Sequence, residues 1–119
     1  MPVSVLLVDD DPLFRMLARR VLSAMLFDVV GEAEDVATAT VAAEELRPQA
    51  ILLDVWLPDG HGVELAHEFA GLSWRPRVVL TSTDPDAVSS DALRWSGAES
   101  FFPKDDLPSA PLQELFAPA

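Results

Sequence analysis

The sequence has 119 residues, of which 20 are acidic and eight basic, and its net charge of −12 disfavours direct binding to nucleic acid. The lack of cysteine excludes disulfides, thiolate zinc sites and a cysteine nucleophile, and two histidines, His61 and His67, make an imidazole-rich metal site improbable. One domain over residues 1–119 is expected, and without a long apolar segment or a basic leader we expect a soluble cytoplasmic protein that makes no membrane contact.

Short apolar runs alternate with longer amphipathic stretches, a pattern typical of an α/β fold in which strand-helix units surround a buried parallel sheet. Five strands are predicted, in chain order over residues 4–8, 28–33, 50–53, 77–80 and 100–102. Five helices are predicted to follow them, over residues 12–26, 36–46, 62–70, 85–95 and 108–116. Asp11 is expected to cap the first helix, whereas three prolines after Asp106 weaken the prediction of the fifth.

Polar side chains follow four of the predicted strands, at the edge where open α/β sheets carry their sites. Asp9 and Asp10 follow the first strand, Asp54 the third and Thr81 the fourth, and Lys104 comes about two residues after the fifth. With right-handed connections and the strand order 2-1-3-4-5, the first and third strands are neighbours, so the three carboxylates converge. That order is common in doubly wound sheets, and its choice rests in part on the family resemblance given below.

Three converging carboxylates repel one another and need a positive charge. Mg²⁺ is the expected cofactor, because it takes one or two carboxylates together with waters and phosphate oxygens. This combination predicts a phosphoryl-transfer site in which Asp54 is the nucleophile and forms an aspartyl phosphate. Lys104, the only lysine of the chain, is expected to pair with one phosphoryl oxygen, and the Thr81 hydroxyl or backbone amides near Ser82 with another.

Four segments of the sequence resemble the signature blocks of the response-regulator receiver domain of two-component signalling. They are "LLVDDDPLFR", "ILLDVWLPDGHG", "VVLTSTD" and "GAESFFPKDDLP". Their order and spacing match those of the family across nearly the whole chain, which makes the resemblance specific. It implies a flavodoxin-like (βα)5 fold, a doubly wound parallel sheet with the strand order 2-1-3-4-5.

The resemblance also assigns roles to individual residues. Asp54 matches the phosphoacceptor, Asp9 and Asp10 match the carboxylates of the Mg²⁺ site, and Lys104 matches the lysine of the family pattern. The backbone carbonyl of Trp56 is implied as a further Mg²⁺ ligand. The phosphoryl donor is implied to be a histidine kinase or a histidine phosphotransfer protein.

Thr81 and Phe101 match the switch pair of the family. There, phosphorylation draws the threonine hydroxyl toward the phosphoryl group and the aromatic ring turns inward. The change remodels the face formed by the fourth helix, the fifth strand and the fifth helix, through which an output protein or a second copy of the chain could bind. An aromatic residue on a strand can also be plain core, so Phe101 has that alternative.

The chain departs from the family pattern in several places. Asp105 follows Lys104 where many receivers have a proline after a cis peptide bond, and a cis bond before a non-proline residue would be costly. The "KDDLP" segment resembles receivers that carry a helix-turn-helix output domain, but the chain stops near such a linker, so a single-domain regulator is expected. Trp56 and Thr83 lie where water must approach the phosphate, which predicts slow dephosphorylation.

Other interpretations remain open. A haloacid dehalogenase-like phosphatase would use Asp9 as nucleophile in an Asp9-x-Asp11 motif, and a receiver-like interaction module could act without phosphate. The acidic run could also be a helix cap with solvated charges.

Three further side-chain types carry expectations of their own. Trp95 is expected on the outer side of the fourth helix, as a partner anchor or folded along the surface, and Trp74 is expected to pin the third helix to the next loop. The histidines and the arginines of the first helix are expected to be solvated.

Overall fold

The computed structural model describes residues 2–117, in which strands and helices alternate. The strands are β1 (Ser4–Val8), β2 (Asp28–Ala33), β3 (Ala50–Asp54), β4 (Trp56–Leu57), β5 (Gly60–His61), β6 (Arg77–Ser82) and β7 (Ser100–Pro103). The helices are α1 (Pro12–Ala24), α2 (Val36–Leu46), α3 (Gly62–Ala70), α4 (Ser90–Ser96) and α5 (Leu112–Leu115), and a 3-10 helix covers Lys104–Ser109. No helix in this part of the chain combines the length and apolar character needed to cross a bilayer.

Five parallel strands form one sheet in the order β2-β1-β3-β6-β7. The predicted order 2-1-3-4-5 is confirmed, since β6 and β7 are the fourth and fifth strands of the prediction. The sequence did not predict β4 and β5, which form a separate antiparallel hairpin directly after β3. This hairpin fills the segment between the end of β3 and the start of α3.

Both faces of the sheet are covered by helices, as a doubly wound fold requires. Alternate side chains of β3 point to opposite faces, because the side-chain period of a strand is two. Ile51 and Leu53 pack in the core under α2 and α3, whereas Ala50 and Leu52 pack in the core under α1 and α5. All five residues of β3 are buried, so the residue that ends this strand has a rigid base.

The predicted start of the fourth helix is wrong. The structure begins α4 at Ser90, with the Ser89 hydroxyl accepting a hydrogen bond from the Ala92 amide at 3.1 Å, and not at position 85. Upstream, the Ser82 hydroxyl accepts from the Asp84 amide at 3.1 Å, and a carboxylate oxygen of Asp84 accepts from the amide two residues later. These local bonds hold the backbone in turns that compete with a helix.

The fifth helix is also shorter than predicted. Only Leu112–Leu115 is α-helical, and the predicted start at Pro108 lies inside the 3-10 helix. Proline at 108 and 111 supplies no backbone N–H, which limits the helix on its amino side. The first helix ends at Ala24, because Leu26 adopts a left-handed φ of 69°, and no peptide bond in the described residues is cis.

Trp74 and Trp95 each make a contact that the sequence did not predict. The Trp74 indole nitrogen donates to the Pro48 carbonyl at 3.0 Å, so it joins the loop before β6 to the loop before β3. The Trp95 side chain is 53% exposed, as expected for the outer side of α4, but its ring stacks on His67 of α3 at 4.1 Å between centroids. The stack links α4 to α3.

Gly62 begins α3 where the helix meets the end of β3. Its amide donates to the Val55 carbonyl at 2.6 Å. A Cβ at this position would overlap the Asp54 carbonyl oxygen and lie 2.8 Å from the Val55 Cα. Only glycine fits, and the close approach fixes the backbone of Asp54 against the start of α3.

Replacing Gly62 by alanine should lower the free energy of unfolding by about 2–3 kcal/mol, because backbone atoms must move to admit the new methyl group. Urea unfolding followed by circular dichroism measures the change.

Gly71→Ala is the matched control. Its added Cβ would lie 3.5 Å from the Glu68 carbonyl oxygen, an ordinary contact, so its stability should stay close to that of the wild type. Equal stability of the two variants would contradict the steric role of Gly62.

Candidate functional site

The structure brings together the three aspartates that the sequence predicted to converge. Asp9 and Asp10 follow β1, Asp54 ends β3, and these two strands pair directly in the sheet. One carboxylate oxygen from each of the three lies within 4.8 Å of the others. We call Asp9, Asp10 and Asp54 the acidic pocket.

Burial makes the charge of the acidic pocket costly. The side chains of Asp9 and Asp54 are buried, whereas Asp10 is exposed. Burial, and then the charge of Asp9, raises the pKa of Asp54 to about 6. Burial also raises the pKa of Asp9, although a hydrogen bond from Lys104 opposes it. The pocket therefore favours any ligand that brings positive charge.

Lys104 supplies one positive charge to the acidic pocket. Its Nζ lies 2.8 Å from Asp9 Oδ2 and 3.6 Å from Asp54 Oδ2, and 4.5 Å from the centroid of the Phe14 ring. Burial alone would lower the pKa of Lys104, but the hydrogen bond to Asp9 and the charges of Asp9 and Asp54 outweigh it and raise the pKa. One ammonium group faces three carboxylates, which leaves two negative charges uncompensated.

Thr81 stands beside Asp54 in the sheet. The two residues are register partners in β3 and β6, and the Val55 amide donates to the Thr81 carbonyl at 2.9 Å. The Thr81 hydroxyl is buried and has no hydrogen-bond partner among residues 2–117. Ser82, the next residue, is fully buried at the end of β6. A buried hydroxyl without a partner is destabilising unless a ligand oxygen reaches it.

The remaining predicted site residues lie farther out on the same edge. Trp56 starts the hairpin; its side chain is 55% exposed and packs edge-on against His61, with 4.6 Å between ring centroids. Phe101 lies on β7 opposite Leu80 and is partly buried against the core under α3 and α4. It therefore has contacts of a core residue and some freedom at the surface.

Sequence reasoning missed the role of Asp59. Its carboxylate accepts from the Val36 amide at 2.7 Å and the Ala37 amide at 3.1 Å, so it caps α2 from the turn of the hairpin. Nothing local in the sequence signals this contact, because 22 and 23 residues separate its partners.

Arg15 is bound more firmly than predicted. One of its nitrogens donates to the Asp9 carbonyl at 2.6 Å, and its Nε donates to Glu32 at 2.9 Å. Arg19 donates to the same Glu32 carboxylate. The bonds from the two arginines lower the pKa of Glu32, and the bond from Arg19 has the largest effect. The expected solvated face of α1 is thus partly an ion-pair network, and Arg15 holds the backbone of the acidic pocket. No local signal in the sequence indicates these contacts, because Glu32 lies 17 residues away from Arg15.

The donors of the acidic pocket suit a hard divalent cation. They are carboxylate oxygens on rigid strand ends, and His61, which caps α3 through a bond from the Val63 amide to its Nδ1, is occupied elsewhere. Mg²⁺ prefers such oxygens and retains positions for water and phosphate. The set also suits an aspartyl-phosphate site, because a buried carboxylate, an ammonium group and an unpartnered hydroxyl stand side by side.

Comparison with known proteins finds regulators of transcription and chemotaxis. The DNA-binding transcriptional activator DevR/DosR of Mycobacterium tuberculosis is 40% identical over 107 residues, which are 87% of this chain and 48% of that protein. The chemotaxis protein CheY of Thermotoga maritima is 26% identical over 93% of this chain and 92% of its own length. The chain spans about half the length of the activator and 40% of CitB of Klebsiella pneumoniae, which is 31% identical.

Solved structures and the family description give the same result. The signal receiver domain of NarL from Mycobacterium tuberculosis superposes with a TM-score of 0.83 at 33% identity, over 98% of each chain. The family model of the response regulator receiver domain matches residues 5–113. The phosphatase interpretation built on Asp9-x-Asp11 is thereby set aside. With the family pattern spanning nearly all of its length and its fold matching a receiver, this chain belongs to the response regulator receiver domain family.

Proposed function

We propose that this receiver domain accepts a phosphoryl group on Asp54 from a histidine kinase or a histidine phosphotransfer protein. The observation that carries the proposal is the setting of Asp54: a buried carboxylate within 4.8 Å of two others and 3.6 Å from the Lys104 ammonium. Nothing in an ordinary structural role calls for that concentration of like charge.

In the proposed step, a carboxylate oxygen of Asp54 attacks the phosphorus of a phosphohistidine on the donor. The new bond joins this oxygen to phosphorus, and the phosphorus–nitrogen bond breaks with its electron pair on the imidazole, which is then protonated. The attack needs Asp54 ionised, and its raised pKa of about 6 leaves it mostly ionised near neutral pH.

Asp9, Asp10, Asp54 and the backbone carbonyl of Trp56 are the proposed ligands of Mg²⁺. When bound, the ion would supply positive charge to the carboxylates and the phosphoryl oxygens. Lys104 would pair with another phosphoryl oxygen, because its ammonium already lies beside Asp54. The Thr81 hydroxyl would donate to a third, and the backbone near Ser82 would assist.

The output of the domain is proposed to run through Thr81 and Phe101. Movement of the Thr81 hydroxyl toward the phosphoryl group would vacate space beside β7, into which the Phe101 ring could turn. The face formed by α4, β7 and α5 would then change shape for an output protein or a second copy of the chain. Direct nucleic-acid binding is not part of the proposal, and we expect the protein to act in the cytoplasm.

Phosphorylation with acetyl phosphate and Mg²⁺, followed by borohydride trapping and mass spectrometry, should label Asp54. Asp54→Asn should lose the label, whereas Asp28→Asn, which removes an exposed carboxylate at the opposite end of the sheet, should keep it. A label on Asp9 would contradict the assignment of Asp54 as the phosphoacceptor. Partner binding that survives Asp54→Ala would support a phosphate-independent module.

Without Mg²⁺, Asp54→Asn should stabilise the protein at neutral pH. The folded pKa of about 6 lies above the ordinary 3.8, so the folded state binds the proton more tightly. The free energy of unfolding of the wild type therefore falls by about 3 kcal/mol in total as pH rises from about 4 to about 6. Urea unfolding in EDTA should show Asp54→Asn to be more stable than the wild type at about pH 7.5. The difference in free energy of unfolding should narrow toward about pH 4.5. A constant gap, or one shared by Asp28→Asn, would contradict the assignment.

Thr81→Val should stabilise the unphosphorylated protein by about 1 kcal/mol, because it removes a buried hydroxyl without a partner. We expect beryllium fluoride with Mg²⁺ to change the tryptophan fluorescence of the wild type, and Thr81→Val should lose this change. Thr81→Ser keeps the hydroxyl and should keep the response. A full response by Thr81→Val would rule out the hydroxyl as the switch.

A further inference from the structure

A cavity lies at the amino ends of the strands, and the acidic pocket lies at their carboxyl ends. The cavity has a volume of about 540 Å³, and its walls include Arg47, Trp74, Arg75 and Arg77. Arg47 follows α2, the next two lie in the loop before β6, and Arg77 begins β6. Three of the eight basic residues of the chain therefore line one cavity.

The charge of this cavity is only partly compensated. Arg77 pairs with Glu99 at 3.4 Å. Neither Arg47 nor Arg75 forms an ion pair with any residue in the range 2–117. Both residues are exposed, so their guanidinium groups are open to solvent and to an anionic ligand.

The backbone at these two arginines is left-handed. Arg47, the C-cap of α2, has a φ of 44°, and Arg75, in the loop before β6, has a φ of 46°. Glycine is the residue of least cost in this conformation. Within the described residues, three non-glycine positions have positive φ, and the third is Leu26. Two of these three carry unpaired cations of the cavity. Both turns place their arginine in the wall of the same cavity.

The other walls offer neutral recognition groups. The Arg47 guanidinium lies over the Trp74 ring, 5.1 Å from the ring centroid, and this contact orients the cation. The Gln49 Oε1 accepts from the Ser4 amide at 3.0 Å, which fixes the side-chain amide and leaves its NH₂ group as a donor. The cavity thus presents hydrogen-bond donors and an aromatic wall, with Glu99 already paired.

We propose that this cavity binds a small phosphate monoester through Arg47 and Arg75. Guanidinium groups match phosphate oxygens in geometry and can bond them in pairs, and Gln49 adds a neutral donor. The site is separate from the proposed phosphoacceptor, since the five residues of β3 put roughly 17 Å between the two ends of the sheet. It needs no metal ion, because its own cations supply the positive charge.

Calorimetric titration of the full chain with AMP and with inorganic phosphate, in EDTA, tests the proposal. We expect saturable binding of AMP. Arg47→Gly and Arg75→Gly should each weaken it at least about tenfold, because each removes a charged hydrogen-bond donor. Glycine also adopts a positive φ at low cost, so these substitutions should not destabilise the backbone. A loss of binding would therefore reflect the lost guanidinium group and not a structural role.

Leu26→Gly is the matched control, because it makes the same backbone change at the third left-handed position without removing a cation. It should bind AMP like the wild type. Arg47→Gln and Arg75→Gln keep a long side chain and should weaken binding as the glycine variants do, which covers the case of a glycine variant that unfolds.

Trp74 fluorescence locates the bound anion. In a protein with Trp56→Phe and Trp95→Phe, Trp74 is the only indole, and AMP should change its emission as Arg47 shifts over the ring. The proposal would be overturned if neither AMP nor inorganic phosphate bound saturably at concentrations on the order of 10 mM. So would AMP binding that the arginine variants leave unchanged.

Discussion

The repulsion among three carboxylates at the end of two adjacent strands is the constraint on which the site depends. The pairing of β1 with β3 forces Asp9, Asp10 and Asp54 together, and every residue of the two strands except Ser4 is buried. Lys104 offsets only one of the charges. A fold that holds its carboxylates in this way remains responsive to cations and phosphoryl groups, because either one changes the local charge balance more than any side-chain rearrangement could.

The sequence predicted the parts of this protein that follow from periodicity and strand ends. Apolar runs located all five strands of the main sheet, and the polar residues directly after them located the acidic pocket, Thr81 and Lys104. Such residues are predictable because parallel strands present their carboxyl ends at one edge of the sheet, and this does not depend on the conformation of the loops. The strand order was less secure from periodicity alone, and the family resemblance supplied the rest.

The parts that the sequence did not predict depend on contacts between distant residues or on competing local bonds. The hairpin β4-β5 has only two residues in each strand, too few for a period-two pattern to appear. The late start of α4 reflects side-chain bonds around Asp84 that a helical pattern does not reveal. Left-handed φ at Arg47 and Arg75 gave no signal either, since arginine is not a residue from which such a conformation is inferred.

The loop that follows Asp54 is anchored at its base and at its tip. Gly62 binds the Val55 carbonyl at the α3 end, and Asp59 holds two amides of α2 from the tip of the hairpin. A loop held in this way has little conformational entropy left to lose when a donor protein docks on it. In the proposed transfer, encounter with the donor would then not have to wait for the loop to become ordered, and the rate would depend on alignment of the reacting atoms.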